Sequence, residues 1–201
     1  MDKVSGVTGD RRRRRRADAE RSAAAVLDAA VEVLGRRPDA TVEEIATAAG
    51  VTRQTVYAHF PSRPRLVSAV VDRMTAEALA ALDAADVEGR PAVDVLLDWL
   101  DVTWRLYDRY PLVRHPSVTA VDPDESDRQH APVTARLERL VRRGQAAGEI
   151  DGTLGAAWLV SATVALGHAA GGEVAAGRMT TAQAATAMRH SVLRLFGTGS
   201  A

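Results

Sequence analysis

The chain has 201 residues, 46% of them apolar and 26% charged, with 26 basic and 26 acidic side chains and no cysteine. This balance excludes a disordered chain and leaves room for one sizeable core or two small ones. The lack of cysteine excludes disulfides, thiol catalysis and thiolate metal sites. No apolar stretch approaches the roughly 20 residues that a bilayer requires, so we expect a cytoplasmic protein with no membrane partner.

The zero net charge conceals an asymmetry along the chain. Fourteen basic and ten acidic residues precede Thr75, leaving 12 basic and 16 acidic residues after it. Such a distribution indicates binding of a polyanion at the N-terminal end only. Because alanine is abundant and aromatic residues make up 4% of the chain, we expect an all-α fold of about nine helices.

The first distinctive segment is RRRRRR, from Arg11 to Arg16. Like charges repel one another, so we expect residues 1–16 to form a mobile basic arm. The arm is either a solvated tail or a ligand of DNA phosphates or the minor groove. Helical periodicity then predicts a first helix from Ala17 to about Leu34, with Gly35 as its C-cap.

The stretch TVEEIATAAGVTRQTVYAHF follows, from Thr41 to Phe60. Thr41 and Glu44 have the spacing of a capping box, in which each side chain bonds the other residue's backbone N–H. Gly50 suits the left-handed conformation that ends a helix, and Thr52 suits the cap of the next one. The pattern predicts two short helices joined by a tight turn, which is a helix-turn-helix.

The second of these helices has two contrasting faces. At 100° per residue, Val56 and Phe60 lie about 40° apart and are expected to face the core. The opposite side carries polar or small residues, namely Arg53, Gln54, Thr55, Tyr57 and Ala58. Arg is suited to guanine and Gln to adenine in the major groove, whereas the alternative is an ordinary solvated face. His59 lies near the core side and is either a structural histidine or a phosphate contact.

Pro61 is expected to end this helix, with Ser62 capping the next and Pro64 in its first turn. Apolar periodicity predicts further helices to about residue 86 and over residues 93–107, 131–147, 154–170 and 182–196, with a short helix between loops over residues 109–127. The last two helices are apolar over much of their circumference and contain small residues. We therefore expect them to form a homodimer interface.

The C-terminal part also contains aromatic and histidine side chains that are candidates for lining an effector cavity: Trp99, Trp104, Tyr107, His115, Trp158 and His168. Ligand sites are mostly apolar with a few polar groups, but each of these residues also suits a simple core position. His168 in particular is either a buried hydrogen-bonding residue or a dimer contact.

No pattern of a catalytic or metal site is present. The five histidines are dispersed, and the chain lacks H-E-x-x-H, P-loop and G-x-S-x-G sequences. The acidic DPDES segment also lacks the calcium-loop spacing. We therefore expect no enzyme activity, no cofactor and no metal.

The capping box, the AAGVT turn, the VYAHF ending and the following SRPRL resemble the tetracycline repressor (TetR) family of bacterial transcriptional regulators. The resemblance implies an N-terminal three-helix DNA-binding domain, here residues 17–65, and a helical effector-binding and dimerisation domain, here residues 66–201. It also implies a homodimer that places a recognition helix in each of two major grooves of a palindromic operator, and a small-molecule effector that changes the spacing of these helices.

Site residues follow from the same resemblance. Thr52 corresponds to a phosphate-contacting cap, Tyr57 to a phosphate contact, and Arg63 to a basic residue beside the DNA backbone. The variable base-reading positions of the family correspond to Arg53, Gln54 and Thr55. The full set of DNA contacts that we predict is Thr41, Thr52, Arg53, Gln54, Thr55, Tyr57, His59 and Arg63. The chain departs from the family at Pro64 and Arg65, where acidic residues are common. We expect the loss of an acidic capping partner to weaken the start of the fourth helix, and Arg65 is a further candidate for a phosphate contact.

The function that we predict is a ligand-responsive regulator, in the first place a repressor. Activation of transcription belongs to the same functional class. Whether a bound regulator represses or activates depends on where the operator lies relative to the promoter. The alternative from another class is a helical interaction scaffold without sequence-specific DNA binding.

Overall fold

The computed structural model describes residues 5–114 and 123–198. Within these ranges the chain forms eight α-helices and one 3-10 turn, with no β-strand. The all-α prediction is therefore confirmed. The elements are α1 (Ser5–Arg36), α2 (Val42–Ala48), α3 (Arg53–His59), α4 (Arg63–Ala85), α5 (Ala92–Arg109), a 3-10 turn (Pro111–Arg114), α6 (Pro123–Ala146), α7 (Ala156–Ala175) and α8 (Thr181–Leu195).

The chain divides into two compact units, an N-terminal unit (Met1–Val70) and a C-terminal unit (Val71–Ala201). The boundary falls inside α4. The family resemblance implied that the DNA-binding domain ends at residue 65, a few residues before this boundary. None of the helices in the described ranges is long and apolar enough to cross a membrane.

Helix α1 is longer than its sequence pattern indicated. It begins at Ser5 and includes the arginine tract, so the predicted start at Ala17 is wrong. Arginine has a high intrinsic helix propensity, and an ion pair between Arg16 and Glu20, one turn apart, offsets part of the repulsion. The predicted C-cap at Gly35 is also wrong, because the helix continues to Arg36 and Arg37 N–H still donates to the Val33 carbonyl at 2.9 Å.

The core of the N-terminal unit is small and comes from four helices. Helix α1 packs against both α2 and α3, and α2 packs against α3. The fully buried side chains include Val26 and Leu34 of α1, Ile45 of α2, Val56 of α3 and Leu66 of α4. Val56 alone of the α3 residues is fully buried, so the rest of that short helix is available to other contacts.

The C-terminal unit has the larger core, in which α5 packs against α6 and α8 while α7 packs against the same two helices. The buried side of α5 includes Val95, Leu96, Trp99, Leu100 and Trp104. The start of α5 has no side-chain cap of its own. Instead, the Glu149 carboxylate accepts from Ala92 N–H at 2.5 Å and from Val93 N–H at 3.4 Å.

Gly144 explains how Glu149 reaches this position. A Cβ atom at Gly144 would lie 2.7 Å from Ile150 Cδ1 and 2.9 Å from Ala92 Cβ, so a side chain here would separate α6 from the start of α5. Glycine therefore allows the close approach that brings the turn after α6 against the N-terminus of α5.

Helix α6 begins earlier than predicted, at Pro123 instead of residue 131. Pro132 lies inside the helix, where it removes one backbone donor but does not end the helix. A short helix was predicted within residues 109–127. The described part of this segment contains the 3-10 turn and the first residues of α6.

Candidate nucleic-acid interface

The turn between α2 and α3 is built from capping interactions within a few residues of sequence. Thr41 N–H donates to Glu44 Oε2 at 2.7 Å, and Glu44 N–H donates to Thr41 Oγ1 at 3.3 Å, which confirms the capping box. Gly50 has φ of +66°, and Val51 N–H closes the turn by donating to the Ala46 carbonyl at 3.0 Å. Thr52 then caps α3 by accepting from Thr55 N–H at 3.1 Å. The predicted helix-turn-helix is present.

Helix α3 presents its polar face to solvent. Arg53, Gln54 and Ala58 are exposed, and Tyr57 beside them is half-buried. We call these four residues the recognition face. Phe60 follows the helix in an extended conformation and is half-buried, so it shields the core less completely than its predicted position implied.

The recognition face contains one preassembled pair. The Arg53 guanidinium lies 5.4 Å from the centre of the Tyr57 ring, and its Nη2 is 3.5 Å from Tyr57 Oη. A cation over an aromatic ring is attracted by the ring quadrupole, which limits the rotamers that the arginine samples. Arg53 therefore points along the outside of α3 before any partner binds.

Two threonines next to this pair are less available. The hydroxyl oxygens of Thr52 and Thr55 lie 2.8 Å apart and share a hydrogen bond. Thr55 is also half-buried, so reading a base with its hydroxyl would require breaking the contact with the helix cap. Gln54, by contrast, has no side-chain hydrogen-bond partner within the described part of the chain. Gln54 and Arg53 are thus the side chains of α3 best placed to meet base edges.

Arg63 is placed differently from its predicted role beside the DNA backbone. Its half-buried guanidinium donates to the Pro38 carbonyl and, through Nε at 3.4 Å, to the Ala40 carbonyl. These contacts fasten the start of α4 to the loop between α1 and α2. Arg65, in the same turn of α4, is exposed and better placed for a phosphate.

The remaining two candidates, Thr41 and His59, lie at the edges of the motif. The Thr41 hydroxyl is used in the capping box, and its partner Glu44 also pairs with Arg37. The backbone hydrogen bond from Thr41, followed by the one from Arg37, lowers the pKa of Glu44. His59 is half-buried, and its ring centre lies 6.3 Å from that of Phe60.

The candidate effector residues are not brought together into one site. Trp99 and Trp104 lie in the core, and Trp104 makes an edge contact with Tyr107 at 5.3 Å between ring centres. The Tyr107 hydroxyl lies so close to Gly171 that a Cβ atom there would clash with it. Trp158, by contrast, is 62% exposed on α7. His115 lies outside the described residues.

His168 has a neighbour that periodicity did not reveal. It is partly exposed on α7, and its ring centre lies 5.1 Å from that of His130 on α6. Desolvation, followed by the proximity of His130, lowers the pKa of His168, so its neutral form is favoured. Neither histidine belongs to a cluster of three or more metal-ligating side chains in the described ranges.

Comparison with known proteins matches the same part of the chain. The family described as bacterial regulatory proteins, tetR family, matches residues 26–70, which contain α2, α3 and their turn. The chain is 41% identical over 78 residues to the transcriptional repressor LfrR of Mycolicibacterium smegmatis, a match that covers 39% of this chain and 41% of LfrR. It is 29% identical over 157 residues to the regulator TtgR of Pseudomonas putida, covering 69% of this chain and 75% of TtgR.

Solved structures extend the similarity to most of the chain. A TetR-family regulator from a Rhodococcus species superposes with a TM-score of 0.74 at 20% identity, covering 88% of this chain and 99% of the other. LfrR in complex with proflavine superposes with a TM-score of 0.59 at 26% identity, covering 86% of this chain and 95% of LfrR. Residues 26–70 thus match the TetR family, and the fold of the chain is similar to that of TetR-family regulators. TetR-family proteins are transcriptional regulators and not enzymes.

Proposed function

We propose that this protein is a ligand-responsive repressor of the TetR family that binds a palindromic operator as a homodimer in the cytoplasm. The observation that carries the proposal is the recognition face on α3, where Arg53 and Gln54 are exposed. Capping by Thr52 at the start of α3 and burial of Val56 hold the helix so that these side chains face outward together.

The proposed contacts divide into two kinds. Arg53 and Gln54 hydrogen-bond base edges in the major groove, where a guanidinium matches guanine O6 and N7 and an amide matches adenine N6 and N7. Thr41, Thr52, Tyr57 and Arg65 supply contacts to phosphates, which set the position of the helix without reading sequence. His59, Thr55 and Arg63 support the motif from its half-buried side.

The proposed dimer interface is formed by α7 and α8. Although α7 packs against α6 and α8, one side of it remains exposed and carries mostly small or aromatic residues: Trp158, Ser161, Ala165, His168, Ala169 and Gly172. Small residues allow two helices to approach closely, and an exposed tryptophan is typical of an interface anchor. A second copy of α7 and α8 is the occupant that suits this face.

Trp158→Arg is expected to convert the dimer into a monomer. Truncating or charging a buried interface tryptophan typically costs at least about 2 kcal/mol, so the dimer dissociation constant should rise by about 30-fold or more. Sedimentation velocity over a range of protein concentrations measures this change. Val87→Arg is the matched control, because Val87 is also exposed (55%) but lies in the connector after α4. Equal dissociation constants for the two variants would remove Trp158 from the interface.

The proposed effector acts by linkage. A molecule that binds better to the conformer whose recognition helices are not one DNA turn apart, about 34–36 Å, lowers operator affinity by its differential affinity for the two conformers. LfrR, which is similar to this chain, binds proflavine in its solved complex. This supports a small-molecule effector here, with Trp99, Trp104 and Tyr107 as candidate wall residues.

The test of the proposal is selection of bound duplexes from a random DNA pool by the purified full-length protein, at near-physiological salt so that non-specific binding is weak. Enrichment of a palindrome with half-sites about one turn apart supports a dimeric operator-binding repressor. A folded, dimeric protein that enriches no motif would refute operator binding and favour an interaction scaffold.

A further inference from the structure

The arginine tract has a geometry that a flexible tail would lack. Helix α1 includes it, and consecutive helical residues differ by 100°, so Arg13 to Arg16 place positive charge nearly all round the helix. All four side chains are exposed. Arg16 is partly neutralised by Glu20, whereas Arg13, Arg14 and Arg15 form no ion pair with any side chain in the described part of the chain. We call Arg13 to Arg16 the arginine collar.

The collar lies well before the packed part of α1. The first fully buried side chain of the helix is Val26, ten residues after Arg16, which corresponds to about 15 Å of helix. The intervening residues are exposed or half-buried, and none is fully buried. The collar therefore has no role in the core of the N-terminal unit.

Charge and shape together select the kind of partner. A concentration of unpaired guanidinium groups favours a polyanion with closely spaced phosphates. An anionic membrane surface is a poorer match, because helices that lie on membranes need an apolar face and the collar has none. The same helix packs against α2 and α3, so the collar and the recognition face belong to one unit.

We propose that the arginine collar is a second nucleic-acid contact, which binds the phosphates of the duplex flanking each operator half-site. This proposal rests on the proposed operator binding and adds a sequence-independent contribution to it. Phosphates also reduce the repulsion between Arg13 and Arg16, which are one turn apart on the helix. DNA binding and helix formation in this segment therefore support each other.

The collar has a measurable signature in the salt dependence of binding. Each phosphate that a protein neutralises adds about 0.9 to the magnitude of the slope of log affinity against log salt concentration. Replacing Arg13, Arg14 and Arg15 together by Gln, which preserves helix propensity, should reduce the magnitude of that slope by about 2.7 per subunit, and therefore by about 5.4 for a dimer bound to both half-sites. The sequence of the selected motif should not change, because the collar reads no base.

Two triple variants serve as controls. Replacing the same three arginines by Lys retains the charge and should retain most of the slope. Replacing Arg105, Arg139 and Arg142 by Gln removes the same charge from exposed positions of α5 and α6, outside the proposed dimer interface, and should change the slope far less. Circular dichroism of the full-length proteins verifies that all variants are folded.

The experiment uses duplexes that contain the selected motif with either long or minimal flanks. If the collar contacts the flanking phosphates, the wild-type protein should bind the long-flanked duplex more tightly than the Gln variant does. The two proteins should bind the duplex with minimal flanks equally well. An unchanged slope in the Gln variant would overturn the proposal, as would wild-type binding to vesicles rich in anionic lipid with no slope difference on DNA. Failure of operator binding itself is distinguishable, because then the wild-type protein selects no motif.

Discussion

Asp86→Asn is expected to lower the free energy of unfolding by about 3 kcal/mol. The Asp86 side chain is 6% exposed, and its two oxygens pair with Arg143 Nη1 at 2.5 Å and Arg136 Nη2 at 2.7 Å. Asparagine keeps the shape but leaves both guanidinium groups without the buried carboxylate. This value is at the lower end of the range of about 3–5 kcal/mol for breaking a buried ion pair. Arg143 is 42% exposed, so water can solvate its guanidinium in part when the carboxylate is lost.

Urea denaturation followed by far-UV circular dichroism measures this loss. Asp101→Asn is the matched control, because the Asp101–Arg189 pair has both side chains 44% exposed at 3.3 Å and should contribute less than about 1 kcal/mol. Equal losses in the two variants would show that burial of Asp86 does not strengthen its ion pairs.

The same carboxylate predicts a pH dependence. Burial alone would raise the pKa of Asp86, but hydrogen bonds from Arg143 and Arg136 outweigh it, so the folded-state pKa lies below its ordinary value. The stabilisation is therefore fully present above the unfolded-state pKa of about 3.9 and is lost as pH falls through the lowered folded-state pKa. The stability difference between wild type and Asp86→Asn should be constant near neutral pH and shrink in acid.

The parts of the structure that the sequence predicted depend on short-range contacts. Thr41 and Glu44 are three residues apart, Gly50 acts on its own backbone, and Thr52 caps the helix that it precedes. Their chemistry is local, so one sequence contains all the information that specifies it. Burial of Val56 was predictable for a similar reason, because the helical period determines on which face of α3 each side chain lies.

The contacts that the sequence did not predict join residues far apart in the chain. Asp86 and Arg143 are 57 positions apart, and so are Ala92 and Glu149. Periodicity assigns charged residues to solvent, so it gives no signal that one carboxylate is buried by two arginines and that another caps a distant helix. Arg63 illustrates the same limit, since its bond to the Pro38 carbonyl appears only when α4 is placed beside the preceding loop.

A polar network around the buried Tyr110 also arises from tertiary structure. Its hydroxyl donates to Glu77 Oε1 at 2.7 Å, and Arg109 pairs with the other oxygen of the same carboxylate at 3.1 Å. Burial, followed by the hydrogen bond to Glu77, raises the pKa of Tyr110 to about 12. Tyr110 therefore remains a hydrogen-bond donor throughout the physiological range and holds α4 against the end of α5.

At the proposed DNA interface, combined replacement of Arg53 and Gln54 by Ala is expected to abolish most of the preference for the selected operator over a scrambled duplex. Each good bidentate contact to a base discriminates by about 1–3 kcal/mol, so the affinity ratio should fall by about 5-fold to 150-fold per contact. The affinity for the scrambled duplex should fall only slightly, by the effect of removing the one positive charge of Arg53. The phosphate contacts are retained in this variant. Competition binding with fluorescently labelled duplexes at fixed salt measures both quantities.

Arg65→Ala provides the contrast, because Arg65 is an exposed arginine in the first turn of α4 and lies outside the recognition face. It should weaken binding to operator and scrambled duplexes by the same factor, leaving their ratio unchanged. Tyr57→Phe should preserve most of the preference, since the ring that the Arg53 guanidinium overlies is retained. If the Arg53 and Gln54 double variant instead kept the full affinity ratio, α3 would not read sequence, and its polar face would serve only as a solvated surface.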